Sequence, residues 1–324
     1  MADYVLSVRA VRNGAFVADV GPSKFLAVPP GQAPVPAQAI TQSAWYQAVR
    51  AAAAWQNAQG EARGDLLFVV HGYNLSAVEV LQRHRRLQAD LLALGFRGVV
   101  VSFDWPSDDQ ALGYLPDRYR AKESALRLVT DGIAYLSAQQ TRSCPINLHV
   151  FGHSTGAYVI REAFDDADDR QLPNLSWSVS QILFAAGDVS AASMTAGNSA
   201  SASLYRHCLG LTNYASRHDR ALDLSNVKRL GVAPRVGRSG LPGTAPPQAV
   251  NVDCTAYYAR LAADSSPIAA EDQPHGFVGT QSHSWYFGNR AFTRDLFGVV
   301  IGEDHTVLPT RAVAPDGSLV LQSP

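Results

Sequence analysis

From residue 66 onward the chain alternates short, largely apolar runs with longer amphipathic stretches, and this rhythm limits the possible fold more than any other feature. The runs are Leu66–Val70, the stretch opening Gly98-Val99-Val100-Val101 and ending at Asp104-Trp105-Pro106, Ile146–Phe151 and Ile182–Ala186, with Leu209–Tyr214 and Val250–Val252 as weaker members. Between them, residues 76–94 place Val78, Val80, Leu81, Leu87, Leu91 and Leu92 at helical spacing, and 121–139 is helical again. A strand apolar on both faces must be covered on both faces. Apolar strands separated by amphipathic helices therefore predict an α/β chain with a mostly parallel central sheet and helices on both sides.

The flanks read differently. Residues 4–28 carry Tyr4, Leu6 and Val8, then Phe16, Val17 and Val20, around Asn13-Gly14, which predicts a β-hairpin with a two-residue turn. Residues 29–40, rich in Pro, Ala and Gln, read as a loop, and 41–58 as a helix with Trp45, Val49, Ala52 and Trp55 on one face. The Gly- and Pro-rich stretch 231–248 reads as a long surface loop, and 306–324 as a strand or tail over the body. The expectation is one domain over 1–324: an N-terminal extension (1–60, hairpin and helix), a core (61–300) and a C-terminal tail (301–324).

Gly152-His153-Ser154-Thr155-Gly156 is a complete G-x-S-x-G. Alone the pentapeptide is weak evidence. Here a strand (LHVF) precedes it and a helix (AYVIREAF) follows it, the frame of a nucleophile elbow. The tight turn exposes the serine hydroxyl, and the flanking glycines are needed because side chains there would clash. An idle serine in a Gly-bounded turn is the plainer alternative. Acyl transfer also needs N–H donors for the oxyanion. Thr155 N–H, just after the serine, is one candidate. Tyr73 N–H, in the His71-Gly72-Tyr73-Asn74 segment that follows Leu66–Val70, is the other. His71 is read as bonding this loop rather than as a catalytic base.

These segments resemble a bacterial α/β-hydrolase family of unknown function marked by HGYN, WPS, Y..DR and HS.G segments. In this chain they are His71-Gly72-Tyr73-Asn74, Trp105-Pro106-Ser107, Tyr114 with Asp117-Arg118, and His153-Ser154-Thr155-Gly156. Further correspondences are Ala185-Ala186-Gly187-Asp188, Asn213-Tyr214-Ala215-Ser216 with Asp219 and Ala221-Leu222, Arg229-Leu230-Gly231, and His283-Ser284-Trp285-Tyr286. The likeness spans roughly residues 65–298 and implies the α/β-hydrolase fold and a Ser-Asp-His triad, but no substrate. Two departures stand out: Thr155 where the family more often has Met, and Gly187 where it often has Pro. Only a backbone N–H is needed at Thr155, so the first is expected to leave activity intact.

In this fold the triad runs Ser, Asp or Glu, then His along the chain, leaving His275, His283 and His305 as candidate bases. His283 matches the family position and leads into an expected helix, Phe287–Leu296. Surface placement explains His275 and His305. Two acids follow strands that end at the same sheet edge, Asp188 and Asp219. The family position favours Asp219, with Asp188 as the alternative acid. Asp219 is flanked by Arg217 and Arg220, so a surface ion cluster is its competing reading. His71, Trp105 and His153 are expected to line the pocket. The segment Asp104–Lys122 is expected to shape its mouth, unless Tyr114, Asp117 and Arg118 only brace that loop.

The 27 basic and 28 acidic residues nearly cancel and form no run, so nothing calls for nucleic acid or an acidic membrane. No apolar stretch approaches the ~18 residues of a membrane span. No signal peptide is visible, which makes a cytoplasmic location the expectation. Cys144, Cys208 and Cys254 fit neither a disulfide framework nor a metal site and read as buried apolar residues. No cofactor or metal is expected. The reading is a carboxylesterase-like serine hydrolase acting on a small or short-acyl ester through an acyl-enzyme on Ser154. An acyltransferase with the same triad and a non-catalytic binding protein are the alternatives, and oligomeric state is not legible.

Overall fold

The computed structural model describes residues 1–107, 114–138, 145–169, 177–227, 233–263, 266–267, 282–304 and 308–323. Cys144, His275 and His305 lie outside the described residues, as do Arg229-Leu230-Gly231 and the side chains of Tyr114, Leu115, Asp117 and Arg118.

Among the described residues the strands are β1 (Asp3–Arg12), β2 (Ala15–Val28), β3 (Ala39–Ile40), β4 (Ala54–Gln56), β5 (Ala62–Val70), β6 (Val99–Asp104), β7 (Asn147–His153), β8 (Val179–Ala185), β9 (Cys208–Ala215), β10 (Ala249–Asp253), β11 (Arg311–Val313) and β12 (Leu319–Leu321). They form a sheet in the order β11-β12-β10-β9-β8-β7-β5-β6-β1-β2-β3, with β4 beside β5. From β12 through β10, β9, β8, β7, β5 and β6 to β1 every pairing is parallel. The apolar runs account for this. Along β5, Leu66, Phe68 and Val70 join one core cluster, while Leu67 and Val69 join the cluster on the other face. Both faces of the strand are thus shielded from water.

The predicted hairpin forms, with Asn13 and Gly14 both at positive φ (51° and 77°), the two-residue turn whose twist matches its strands. It extends the main sheet, since β1 pairs with β6 in register Tyr4↔Val101 to Ser7↔Asp104. Other predictions need correction. The helix expected over 41–58 ends at Ala53. Trp55 then donates its indole N–H to Asp65 Oδ2 at 2.9 Å, and Ala54–Gln56 pairs with Ala62–Gly64 as β4. The stretch expected over 121–139 is helical over its described residues, 121–138, with a π-turn, Val129–Ile133, between Tyr114–Leu128 and Ala134–Ala138. The stretch 231–248 is no simple surface loop. Arg235 and Val236 are buried, and a short helix, Val236–Ser239, presses Gly237 so close to β8 that a Cβ there would lie 2.1 Å from the Ala186 carbonyl carbon.

The C-terminal strands are fastened by a buried ion pair. Asp295, on helix Arg290–Val300, contacts Arg311 Nη2 at 2.6 Å and Nε at 2.9 Å, and accepts the hydroxyls of Tyr214 and Thr310, each at 2.6 Å. Both charged side chains are fully buried. Removing one partner strands the other's charge, so Asp295→Ala is expected to destabilise the fold by ~3–5 kcal/mol in urea titration. The paired change Asp295→Leu with Arg311→Met should recover part of that loss, because it removes the stranded charge but still leaves the Tyr214 and Thr310 hydroxyls without their acceptor. A double variant no more stable than Asp295→Ala would contradict this account.

The fold delivers five strand ends to one edge. His71-Gly72 follows β5, Trp105–Ser107 follows β6, Ser154 follows β7, Ala186–Asp188 follows β8 and Ser216–Asp219 follows β9. The carboxyl edge of a parallel sheet is where α/β folds bind ligands.

Candidate active site

Ser154 links β7 to helix Thr155–Asp169 with φ 56°, a left-handed conformation that costs a serine ~1–3 kcal/mol unless its surroundings impose it. They do. Its N–H donates to Ala185 O at 3.0 Å, and its carbonyl accepts from Ala157 N (3.1 Å) and Asp188 N (2.9 Å). A Cβ on Gly156 would lie 2.1 Å from Val70 O, and one on Gly152 would lie 2.8 Å from Ala157 N. The two glycines of the pentapeptide are thus steric requirements of the turn.

Ser154 Oγ lies 2.8 Å from His283 Nε2, and His283 Nδ1 lies 2.8 Å from Asp219 Oδ2. Among the described candidates for acid and base, His283 and Asp219 are the two whose side chains join the serine hydroxyl in one hydrogen-bonded chain. Asp219 is fully buried, which rules out the surface ion cluster. Its other oxygen accepts the Leu222 N–H at 3.0 Å at the start of helix Arg220–Val227. One carboxylate therefore caps a helix and holds an imidazole. Asp188 is also buried, but its carboxylate faces Arg235 Nε at 3.3 Å. Arg235 carried no signal in the sequence, because the stretch that holds it reads as loop.

Thr155 opens its helix, where the first N–H groups have no intrahelical acceptor and the dipole favours negative charge. The Tyr73 loop comes close to the serine: a Cβ on Gly72 would lie 2.9 Å from Ser154 Cβ, so only glycine fits there. Asn74 takes the left-handed conformation (φ 60°), which asparagine tolerates better than most residues.

The residues expected to line the pocket are all buried: His71, Trp105 and His153 expose 3 %, 0 % and 2 %. His153 donates Nε2–H to the carbonyl oxygen of His283 at 2.8 Å, and its ring packs against Phe287. Burial first, then the neighbouring His283 ring and the Arg83 guanidinium, hold His153 well below the usual histidine range, so it stands neutral as that donor. His71 Nδ1 lies 2.7 Å from Gly72 O, its ring stacks on Trp105, and Trp105 Nε1–H donates to His71 O at 2.8 Å. Burial lowers the His71 pKa, with Asp104 only partly offsetting it. Burial alone would raise the Asp104 carboxyl, but Arg9 and His71 outweigh it and hold it at about 2.

Chemically, the arrangement can pass the Ser154 proton to His283 while Asp219 fixes the ring and balances its charge. Among the described residues no three His, Cys, Asp or Glu side chains converge as a metal site, and no helix is long and apolar enough to cross a membrane.

Residues 49–240, more than half of the chain, match the model of a family described as "Alpha/beta hydrolase of unknown function (DUF900)". No curated protein matches. Among solved structures, the chain is similar to one described as a cell surface hydrolase from Lactobacillus plantarum WCFS1 (11 % identity, TM-score 0.37, covering 74 % of this chain and 92 % of that one). It is also similar to a hyperthermophilic esterase from Pyrobaculum calidifontis (15 %, TM-score 0.32, 59 % and 67 %). A third is the RedJ thioesterase of prodiginine biosynthesis in Streptomyces coelicolor (14 %, TM-score 0.29, 59 % and 77 %).

Proposed function

The chain belongs to this family of α/β-hydrolases of unknown function, and from that premise we propose that it is a serine hydrolase that cleaves a small or short-acyl carboxylic ester through an acyl-enzyme on Ser154. The observation that carries this reading is the unbroken relay Ser154 Oγ–His283 Nε2 and His283 Nδ1–Asp219 Oδ2, with both steps at 2.8 Å. His283 takes the serine proton as Oγ attacks the carbonyl carbon. Thr155 and Tyr73 N–H groups hold the oxyanion. The imidazolium then protonates the leaving alcohol. In the second half, His283 takes a proton from water as that water attacks the acyl carbon, and the imidazolium returns the proton to Ser154 Oγ as the acid product leaves.

Between β8 and β9, where a cap over the serine could be inserted, the chain is short. That segment holds only a 3-10 turn, Ala191–Met194, and a short helix, Ser199–Arg206, the latter packed near helix Thr155–Asp169. No domain-sized cap is inserted there.

The test is stopped-flow hydrolysis of p-nitrophenyl acetate, butyrate and octanoate. The expected result is a pre-steady-state burst of about one p-nitrophenol per chain, the kinetic sign of an acyl-enzyme, with kcat/KM highest on the shorter acyl groups. No hydrolysis of any of the three above background would contradict the reading.

A further inference from the structure

We propose that Arg9, supplied by the N-terminal hairpin, is a positioning residue that fixes the oxyanion loop His71–Leu75 against Ser154. The inference rests on the serine-hydrolase reading above. It assigns a role in the reaction to a residue that lies ahead of the family-matched segment 49–240.

The register brings the residue there. β1 runs parallel to β6, with Ser7 opposite Asp104, the last residue of β6. Two residues further on, across an irregularity in the β1–β2 register, Arg9 reaches the same Asp104 carboxylate as Ser7. Its guanidinium is 4 % exposed and divides among three acceptors: Nε to Asp104 Oδ1 at 2.8 Å, Nη1 to Ser107 O at 3.0 Å and Nη2 to Leu75 O at 2.8 Å. Ser7 Oγ donates to the other Asp104 oxygen at 2.7 Å.

These contacts hold both ends of the loop. At the far end, Leu75 O accepts from Arg9 and from Ser107 Oγ–H (2.9 Å), while Leu75 N–H donates to Ser107 Oγ at 3.2 Å. At the near end, His71 is held by the Trp105 indole, and its Nε2 stands 3.3 Å from the same Asp104 oxygen that Arg9 grips. Gly72, Tyr73 and Asn74 span the interval, with Gly72 against Ser154. One planar cation thus sets the spacing between the ends of β5 and β6, and through it the place of the Tyr73 N–H. Lysine cannot reproduce a fork of three fixed donors. A buried ion pair of this kind adds little to stability over apolar residues of the same volume, so its use is best sought in geometry.

The experiment compares wild type, Arg9→Lys and Arg9→Met on p-nitrophenyl butyrate at a temperature where circular dichroism shows each folded. It also measures inhibition by an alkyl trifluoromethyl ketone, whose serine adduct carries an oxyanion. A shift of the donor by about 1 Å predicts a ~10- to 100-fold lower kcat in both variants, with KM within ~3-fold. The inhibition constant should rise in parallel with the loss in kcat/KM. A role confined to stability would lower the melting temperature and leave the inhibition constant in place, and that result overturns the proposal. Because Arg9→Lys keeps the charge beside Asp104, it remains informative if Arg9→Met does not fold. If wild type turns over no ester, the serine-hydrolase reading fails and this one with it. If wild type is active and Arg9→Lys equals it in kcat and inhibition, only the role of Arg9 fails.

Discussion

Asp219→Asn is expected to lower kcat on a short ester by ~10⁴-fold with little change in KM, while Asp188→Asn keeps kcat within ~10-fold of wild type. The asparagine has the shape of the aspartate, but its amide can present N–H to His283 Nδ1. The ring then takes the tautomer with its proton on Nε2, which cannot accept the serine proton. The charge that balances the imidazolium is lost as well. Burial makes the loss large, because Asp219 is fully buried and the field between the two groups is poorly screened. Asp188 is buried too, but it faces Arg235, so its replacement should show in stability before turnover. Steady-state kinetics on the two purified variants, each assayed well below its melting temperature, separates them. An Asp219→Asn variant with near-wild-type kcat beside a disabled Asp188→Asn would hand the acid's role to Asp188.

Ser154→Ala is expected to remove still more, on the order of 10⁶-fold in kcat, with the fold kept. Among the described residues the hydroxyl is hydrogen-bonded to His283 alone, so its loss should change stability by only about 1 kcal/mol. The strained turn stays in place, because the N–H and carbonyl bonds of residue 154 and the packing of Gly152 and Gly156 do not involve Oγ. Chromogenic ester assays alongside thermal melts check both halves. A variant that retained more than a few per cent of wild-type turnover would show that the measured hydrolysis does not use this serine.

Much of this was legible in the sequence because it rests on local rules. Apolar runs such as Leu66–Val70 are buried on both faces, and Asn13-Gly14 turns a hairpin wherever alternating residues flank it. The elbow was legible for the same reason, since strand, glycine and helix all fall within a dozen residues. What hid from the sequence was set by distant partners. β4 forms because Trp55 finds Asp65, ten residues on. The stretch 231–248 has the composition of a loop, yet Arg235 and Val236 are buried beside Asp188 and β9. The choice between Asp188 and Asp219 could not be made from spacing, because both follow strands ending at one edge. Only the place of His283, against Asp219 at that edge, distinguishes them. Arg9 was the least visible: a single cation in a strand has no local signature, and its partners lie 66 to 98 residues away.

The central claim is that Ser154 is an activated nucleophile, and covalent capture tests it most directly. The wild-type chain is incubated with a fluorophosphonate, and intact mass and peptide fragmentation are recorded for it and for Ser154→Ala. The account predicts one adduct per wild-type chain, located on Ser154, and none on the variant. A wild-type chain that stays unmodified, or a Ser154→Ala chain that labels equally, would contradict it.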